Sequence, residues 1–257
     1  MTAEKIQTLE RAVKILDCFN VNEPELGVRE IARRIHLSSS TTGRLMAAMK
    51  ELNILAQNTE THLYCLGSKI LALSAIYTST MDVRNLALAK MVSLHELTQE
   101  TISLYIMEGN ERICIERLES PQTVRIVTWI GRRIPLYAGS AGKCFLAFLP
   151  VMRREEILNS TKLEALTENT IINLAELRSE LEHIRNEGCA VSIGEWVLEA
   201  AGVAAPIFNA FGQIIAVLTI SGPASRFSKE KIEQYKLLIM EKAAQISKEF
   251  GFTTSKN

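Results

Sequence analysis

The sequence predicts an α+β protein in two parts: a small N-terminal helical domain closed by a hairpin, and a larger domain on a mainly antiparallel sheet. Three observations predict it. Up to Leu52 apolar side chains recur at helical spacing. From Thr101 the pattern changes to strand-like alternation, with several sequential hairpins flanked by helices. The chain of 257 residues is long enough for two ordinary domains.

In chain order, Thr8 caps a first helix running through Phe19, with Leu9, Ala12, Val13, Leu16 and Phe19 on its inner face. Asn20 to Gly27, with Pro24, is a loop. Val28, Ile31, Ala32 and Ile35 then form the stripe of a short amphipathic helix, broken at His36 and Leu37. Ser38 stands where an N-cap is wanted, and Thr41, Leu45, Ala48 and Leu52 give a second stripe. Two short helices joined by a tight turn make a helix-turn-helix. Its second helix turns Ser39, Ser40, Thr42, Gly43, Met46 and Lys50 outward. Small hydroxyl residues with no acid among them suit close approach to phosphates and base edges. Between Val28 and Lys50 the charges are Arg29, Arg33, Arg34, Arg44 and Lys50 against Glu30, a local excess of +4. Two strand-like runs, ILAQ and HLYCL, follow around the turn Asn58–Thr61, as the wing of a winged helix. The wing tip has no Arg or Lys and can reach DNA only through hydroxyls, His62 or backbone N–H groups.

Gly67 ends the hairpin, and Ser68 to Thr80, with Ile70, Leu71, Leu73, Ala75, Ile76 and Tyr77, is a linker helix. Asp82 caps a helix carrying Val83, Ala87, Met91, Leu94 and Leu97. The predicted divisions are 1–67, 68–81 and 82–253. TISLYIM and ERICIERL form a hairpin, TVRIVTW a third strand, and YAGSAGKCFLAFL a helix from Ser140. Asn173 with Glu176 makes a capping box for a helix through Glu187, with Leu177, Leu181 and Ile184 inside and Gly188 as terminator. CAVSI, VAAPIFN and IIAVLTIS are strands, the last two joined by the turn Ala210–Gln213. Ser228 caps a final helix through Phe250.

Lys+Arg and Asp+Glu both total 29, so the molecule has no global basic field and any nucleic-acid contact rests on a local patch. The five cysteines, 18, 65, 114, 144 and 189, are scattered singly, as reduced packing residues of a cytoplasmic protein. No apolar run approaches the length of about 18 residues that spans a membrane, and no motif asks for a metal or cofactor.

TLERAVKIL, VREIARRIHLSSSTTGRLM, the wing ending LYCLG, ESPQTVRIV, GRRIPLYAGSAGKCFLAFL, GCAVSIGEW and VAAPIFNAFGQIIAVLTISGPASRFS occur in that order. In order and spacing they resemble the IclR family of bacterial transcriptional regulators, over residues 6–251. The resemblance implies a winged helix-turn-helix, a linker helix used in dimerisation and a GAF-like (profilin-like) effector domain. It implies dimers or tetramers on palindromic operators, controlled by a small molecule. Ser38, Ser39, Ser40, Thr41, Thr42 and Arg44 open the recognition helix. Arg44 grips phosphate, Ser39, Ser40 and Gly43 approach the groove, Thr41 faces the core, and Arg29, Lys50 and His62 complete the DNA-facing set. The glycine costs its helix up to about 1 kcal/mol against alanine, which close approach to DNA would offset.

The effector pocket implied by the resemblance lies between the sheet and the loop before the GSAGK helix. Ser140, Ala141 and Gly142 occupy that helix N-terminus, either as a carboxylate site or as tight packing against a strand. Ser192, Glu195 and Gly202 also map to the pocket. Where Ser192 and Gly202 stand, the family often has Asp and Cys. Loss of the acid at 192 favours anionic ligands, unless Glu195 restores the charge. Of Arg132 and Arg133 only one can point inward, and Trp129, Trp196, Leu118, Leu136 and Phe145 could wall an apolar pocket or be plain core. Two other classes were weighed: an enzyme using Cys144 with His95 or His183, for which no orienting third group is recognisable, and a GAF-like sensor acting through protein contacts alone.

Overall fold

Of the caps expected in the first elements, Ser38 stands at the start of its helix as predicted, whereas Thr8 lies inside the first helix, which stops at Leu16. α1 (Gln7–Leu16), α2 (Val28–Arg34) and α3 (Ser39–Glu51) precede an antiparallel hairpin of β1 (Leu55–Gln57) and β2 (Tyr64–Leu66). The computed structural model describes residues 7–20, 22–79, 82–126 and 128–252. The Tyr77 side chain, Thr80, Met81, Val127 and Thr253, which enter the expectations above, lie outside them. Ser38 Oγ accepts the Thr41 N–H at 3.1 Å and so caps α3. At the end of the hairpin the Gly67 N–H donates to the Ile54 carbonyl at 2.8 Å. A Cβ at 67 would collide with the Asn53 carbonyl, so only glycine fits there.

Two helix faces differ from expectation. In α1 the buried side chain is Ile15, with Cys18 just beyond the helix, while Leu9 and Val13 are exposed. In α3 the core takes Thr42, Met46 and Met49; Leu45 is only half-buried, and Ala48 and Leu52 are exposed. Both segments carry two apolar stripes offset by one residue, roughly 100° around the helix axis. Periodicity alone cannot choose between them; packing with Ile31, Leu55 and Tyr64 does.

The chain divides into two compact units, residues 1–80 and 81–257. The first ends with α4 (Ser68–Ser79), which exposes Leu71, Leu73 and Ile76. The second contains α5 (Asp82–Thr98), β3 (Thr101–Glu108), β4 (Glu111–Leu118), β5 (Arg133–Pro135), α6 (Ser140–Phe148), α7 (Val151–Ser160), α8 (Leu174–Glu187), β6 (Ala190–Ile193), β7 (Ala200–Phe208), β8 (Ile214–Pro223) and α9 (Lys229–Glu249). Among the described residues six strands form an antiparallel sheet in the order β5-β4-β3-β8-β7-β6. Alternation along the strands sends Leu104, Val203 and Leu218 to a core with α5 and α9, and Tyr105, Ala204 and Val217 to a core with α6 and α8. Each large apolar side chain so enclosed contributes about 1.5–3 kcal/mol.

Three expectations are corrected here. TVRIVTW is irregular; the strand beside β4 is the short β5. The carbonyls of Val124, Ile126 and Thr128 are taken by guanidinium groups, Arg226 on the first and Arg117 on the others, which replaces a ladder. Leu97 is exposed at the end of α5. The helix α7 was not foreseen, because VMRREEILNS offers the core only Ile157, Leu158 and the Arg154 stem. Asn173, Gly188 and Ser228 cap their helices as expected.

Two substitutions test the winged helix. Gly67→Ala should destabilise it by about 1–3 kcal/mol through overpacking against backbone. The buried Thr42 hydroxyl has no hydrogen-bond partner, so Thr42→Val should stabilise it by roughly 1 kcal/mol. Denaturant unfolding of the full chain measures both.

Candidate functional site

The N-terminal surface follows from how α3 is seated. Ser39, Ser40, Arg44, Ala47, Lys50 and Glu51 are exposed along it. Thr42 is not part of that face, because its side chain lies fully in the core. Gly43 is half-buried, and a Cβ there would meet Val28 of α2 at 3.5 Å, an ordinary contact, so helix packing does not itself require glycine. The basic excess is also redistributed. Arg33 bonds Glu30, and Arg34 bonds both Glu30 and Glu23 at 2.7 Å, which holds the Glu30 carboxyl down to about 2. Lys50 donates to Gln57 of β1 at 2.9 Å and so ties α3 to the wing. Arg29 and Arg44 are exposed and engage no acid among the described residues. At the wing tip, Asn58 Oδ1 accepts the N–H groups of Glu60 and Thr61, and His62 is exposed with a left-handed backbone, φ 58°.

In the second unit a pocket of about 680 Å³, counting its open mouth, lies where α6 begins, against the sheet. Ser140, Ala141, Ser192 and Gly202 line it, as the sequence predicts. Gly202 pairs with Ser192 across β6 and β7, and a Cβ at 202 would stand 2.8 Å from Ser140 Oγ, so the missing side chain opens the pocket at that point. Of the arginine pair, Arg132 lines the pocket and Arg133 is exposed, bonded to Glu108 and Glu111. Trp196 is a wall; Phe145 is core.

Other predicted lining residues lie elsewhere. Leu118 packs toward the α5 and α9 core because the bulge at Ile115 shifts the alternation of β4 by one residue. Trp129 is outside the lining, with the Arg132 guanidinium over its ring at 4.4 Å. Leu136 is buried in the α6 core. Gly142 sits beneath the pocket wall, where a Cβ would collide with Arg112 and the Leu136 carbonyl. Glu195 is buried outside the lining. Its Oε2 accepts the Gly139 N–H at 3.1 Å, and its Oε1 accepts from Lys143 Nζ at 2.6 Å. Lys143 also reaches Glu180 at 2.8 Å. Glu195 therefore hydrogen-bonds no lining residue but Gly139, although its charge is felt at Arg112.

Sequence reasoning missed Arg112, the most telling wall residue. On β4 it shares a side with Cys114, facing α6, and is 4% exposed. Its Nη1 donates to the carbonyls of Pro135 and, at 2.9 Å, Ala138, while its Nε is buried without a partner. Burial, with nearby Arg132 acting the same way, holds the guanidinium down to about 10, where it stays charged at neutral pH. The signal was present: an arginine alternating with Cys114 on the inner side of an otherwise buried strand. Thr219 and Ser221, spaced by two in an apolar strand, are the polar counterpart. The pocket can thus hold a small anion among two guanidiniums, the first N–H groups of α6 and several hydroxyls. Cys144 is fully buried in the apolar core and burial pushes its thiol well up, which leaves no thiolate nucleophile.

Residues 75–248 match the family model of the bacterial transcriptional regulator IclR C-terminal domain, and residues 8–59 that of the IclR helix-turn-helix domain. The chain belongs to the IclR family. It is 33% identical to the HTH-type transcriptional regulator KdgR of Escherichia coli, over 90% of this chain and 88% of that protein. It is 30% identical to the E. coli HTH-type transcriptional repressor AllR, over 95% and 90% respectively. The crystal structure of an IclR homologue from Microbacterium hydrocarbonoxydans, complexed with 4-hydroxybenzoate, superposes with a TM-score of 0.83 at 27% identity, covering 95% of this chain and 98% of that one. As an IclR-family regulator the protein joins a DNA-binding helix-turn-helix to an effector-binding domain. Among the described residues no helix is long and apolar enough to cross a membrane.

Arg44→Ala should weaken binding to DNA fragments selected from a random-sequence pool and lower the log–log salt slope by about 1. Arg33→Ala, whose guanidinium is already held by Glu30, should change that slope far less. Fluorescence anisotropy across a salt series reads both.

Proposed function

We propose that the protein is a repressor whose operator binding is set by a small organic acid held in the pocket at the start of α6. Residues 1–67 act as the DNA-binding domain, 68–81 as the linker and 82–253 as the effector domain. One observation carries the choice of ligand. The pocket lining contains two arginines and, among the described residues, no carboxylate, while Glu195 is fully engaged by Lys143 and the Gly139 N–H. A carboxylate at the free N–H end of α6 beside Arg112 would satisfy a charge that the fold leaves buried. The similar Microbacterium protein, complexed with the aromatic acid 4-hydroxybenzoate, supports this class of ligand. AllR, a repressor 30% identical, supports the direction of control.

DNA contact falls to the exposed α3 face, Ser39, Ser40, Arg44 and Ala47, with Arg29, Lys50 and His62 beside it. Two such faces on a palindrome require a dimer or tetramer, and the exposed Leu71 and Leu73 of α4 supply an apolar surface for it. The protein then works in the cytoplasm, without catalysis. Acid binding alters operator affinity by its differential affinity for the two arrangements of the paired domains.

Ser140→Trp fills the pocket and tests this reading. Keto, hydroxy, sugar and aromatic acids are screened by melting shift and by release of selected DNA. An acid active on the unchanged protein and inactive on Ser140→Trp is the expected result. An acid acting equally on both would put the effector site elsewhere.

A further inference from the structure

The pocket carries more positive charge than one carboxylate can balance. Arg112 is 4% exposed, its Nη1 is held by backbone carbonyls only, and its Nε has no partner. Carbonyl dipoles orient a guanidinium without neutralising it. Arg132 lies over the rings of Trp129 at 4.4 Å and Trp196 at 5.4 Å, and forms no ion pair among the described residues. Glu195, whose charge reaches Arg112, hydrogen-bonds Lys143 and the Gly139 N–H and neither guanidinium. The lining therefore has a formal charge of +2, from Arg112 and Arg132. Both guanidiniums lie over the Trp196 ring, but only Arg112 is also held by the carbonyls of the turn into α6, and Arg132 by the Trp129 ring. A ligand with one negative charge leaves one of them uncompensated in a partly dry site; a ligand with two separated negative groups satisfies both.

We infer that the pocket selects a small diacid, one acid group seated at Arg112 and the N–H groups of Ser140 and Ala141, the other at Arg132. The inference rests on the pocket being the effector site. The second group is a carboxylate or a phosphate, which share the charge and the guanidinium-binding geometry. Ser192, Thr219 and Ser221 also line the pocket.

Titration calorimetry of the full chain tests it with succinate, glutarate and adipate, each beside its monomethyl ester, and with 2-phosphoglycolate beside glycolate. The ester keeps the length and removes one charge. At least one diacid should bind tenfold or more tighter than its single-charged partner, about 1.4 kcal/mol or more. Arg132→Gln should bring that diacid down to the level of its ester and leave the ester unchanged. Arg132→Lys, which keeps the charge, should retain most of the preference and shows that the loss is not one of folding. Tighter binding of phosphoglycolate than of the dicarboxylates assigns the second group to phosphate and supports the inference. Esters that bind as well as their diacids overturn it and leave the organic-acid reading standing. So does an Arg132→Gln change that weakens ester and diacid equally, since Arg132 would then grip the same carboxylate as Arg112. Failure of every acid, single or double, overturns both.

Discussion

Lys143 is the charge on which the effector domain is arranged. A lysine in the interior of a short, wholly buried helix is tolerable only with partners, because an unpaired ammonium in that surrounding costs several kcal/mol. It finds Glu195 at 2.6 Å and Glu180 at 2.8 Å, and so joins α6 to α8 and to the turn that follows β6. The other Glu195 oxygen takes the Gly139 N–H, which fixes the entry into α6. The same turn is held from outside, where Thr170 donates to the Glu195 carbonyl at 2.8 Å. Such a pair adds little net stability over an apolar filling. Breaking it from one side strands a buried charge, so its value lies in allowing one arrangement of these segments. Trp196, the next residue, is placed against the pocket by that arrangement.

This pair also decides the character of the pocket. Without Lys143, Glu195 would stand as an acid beside Arg112 and could neutralise it internally. With Lys143 present, Glu195 bonds that ammonium and the Gly139 N–H, and Arg112 has no acid hydrogen-bond partner among the described residues. One lysine thus acts as both fastener and charge filter. A ligand that neutralises the arginines removes their mutual repulsion, and the fold can respond to it only as far as that gain differs between its arrangements.

Much of the fold was legible in the sequence, because caps and turns are local chemistry. Ser38, Asn173, Gly188 and Ser228 each announce a helix end through a single side chain or a glycine, and the structure places each end there. What failed was non-local. The choice between Thr41, Leu45 and Ala48 or Thr42, Met46 and Met49 as the inner stripe of α3 depends on what lies opposite. TVRIVTW has the composition of a strand, yet Arg117 and Arg226 satisfy its carbonyls from distant positions. At the pocket, Ser140, Ala141, Ser192 and Gly202 were reachable from motif position. Arg112 was not, since its significance comes from lacking an acid, and pairing in three dimensions cannot be read from spacing.

The same accounting applies to the DNA-binding domain, where counting charges along the chain overstates the field. Of the five basic residues between Val28 and Lys50, Arg33 and Arg34 are bound to Glu30 and Glu23, and Lys50 is held by Gln57. These bonds brace α2 and join α3 to the wing, so three cations serve the shape of the domain. Arg29, Arg44 and Lys50, whose partner is a neutral amide, keep charges that no acid among the described residues balances. Counterion release rises with the number of phosphates neutralised, so three such cations, rather than five, set the electrostatic contribution open to the proposed surface. Under the proposed reading, the fit of Ser39, Ser40 and Ala47 into the groove and the pairing of two such surfaces supply the rest. A regulator built this way gains from its effector most when the ligand changes how the two surfaces are presented together, because each surface supplies only part of the contact with DNA.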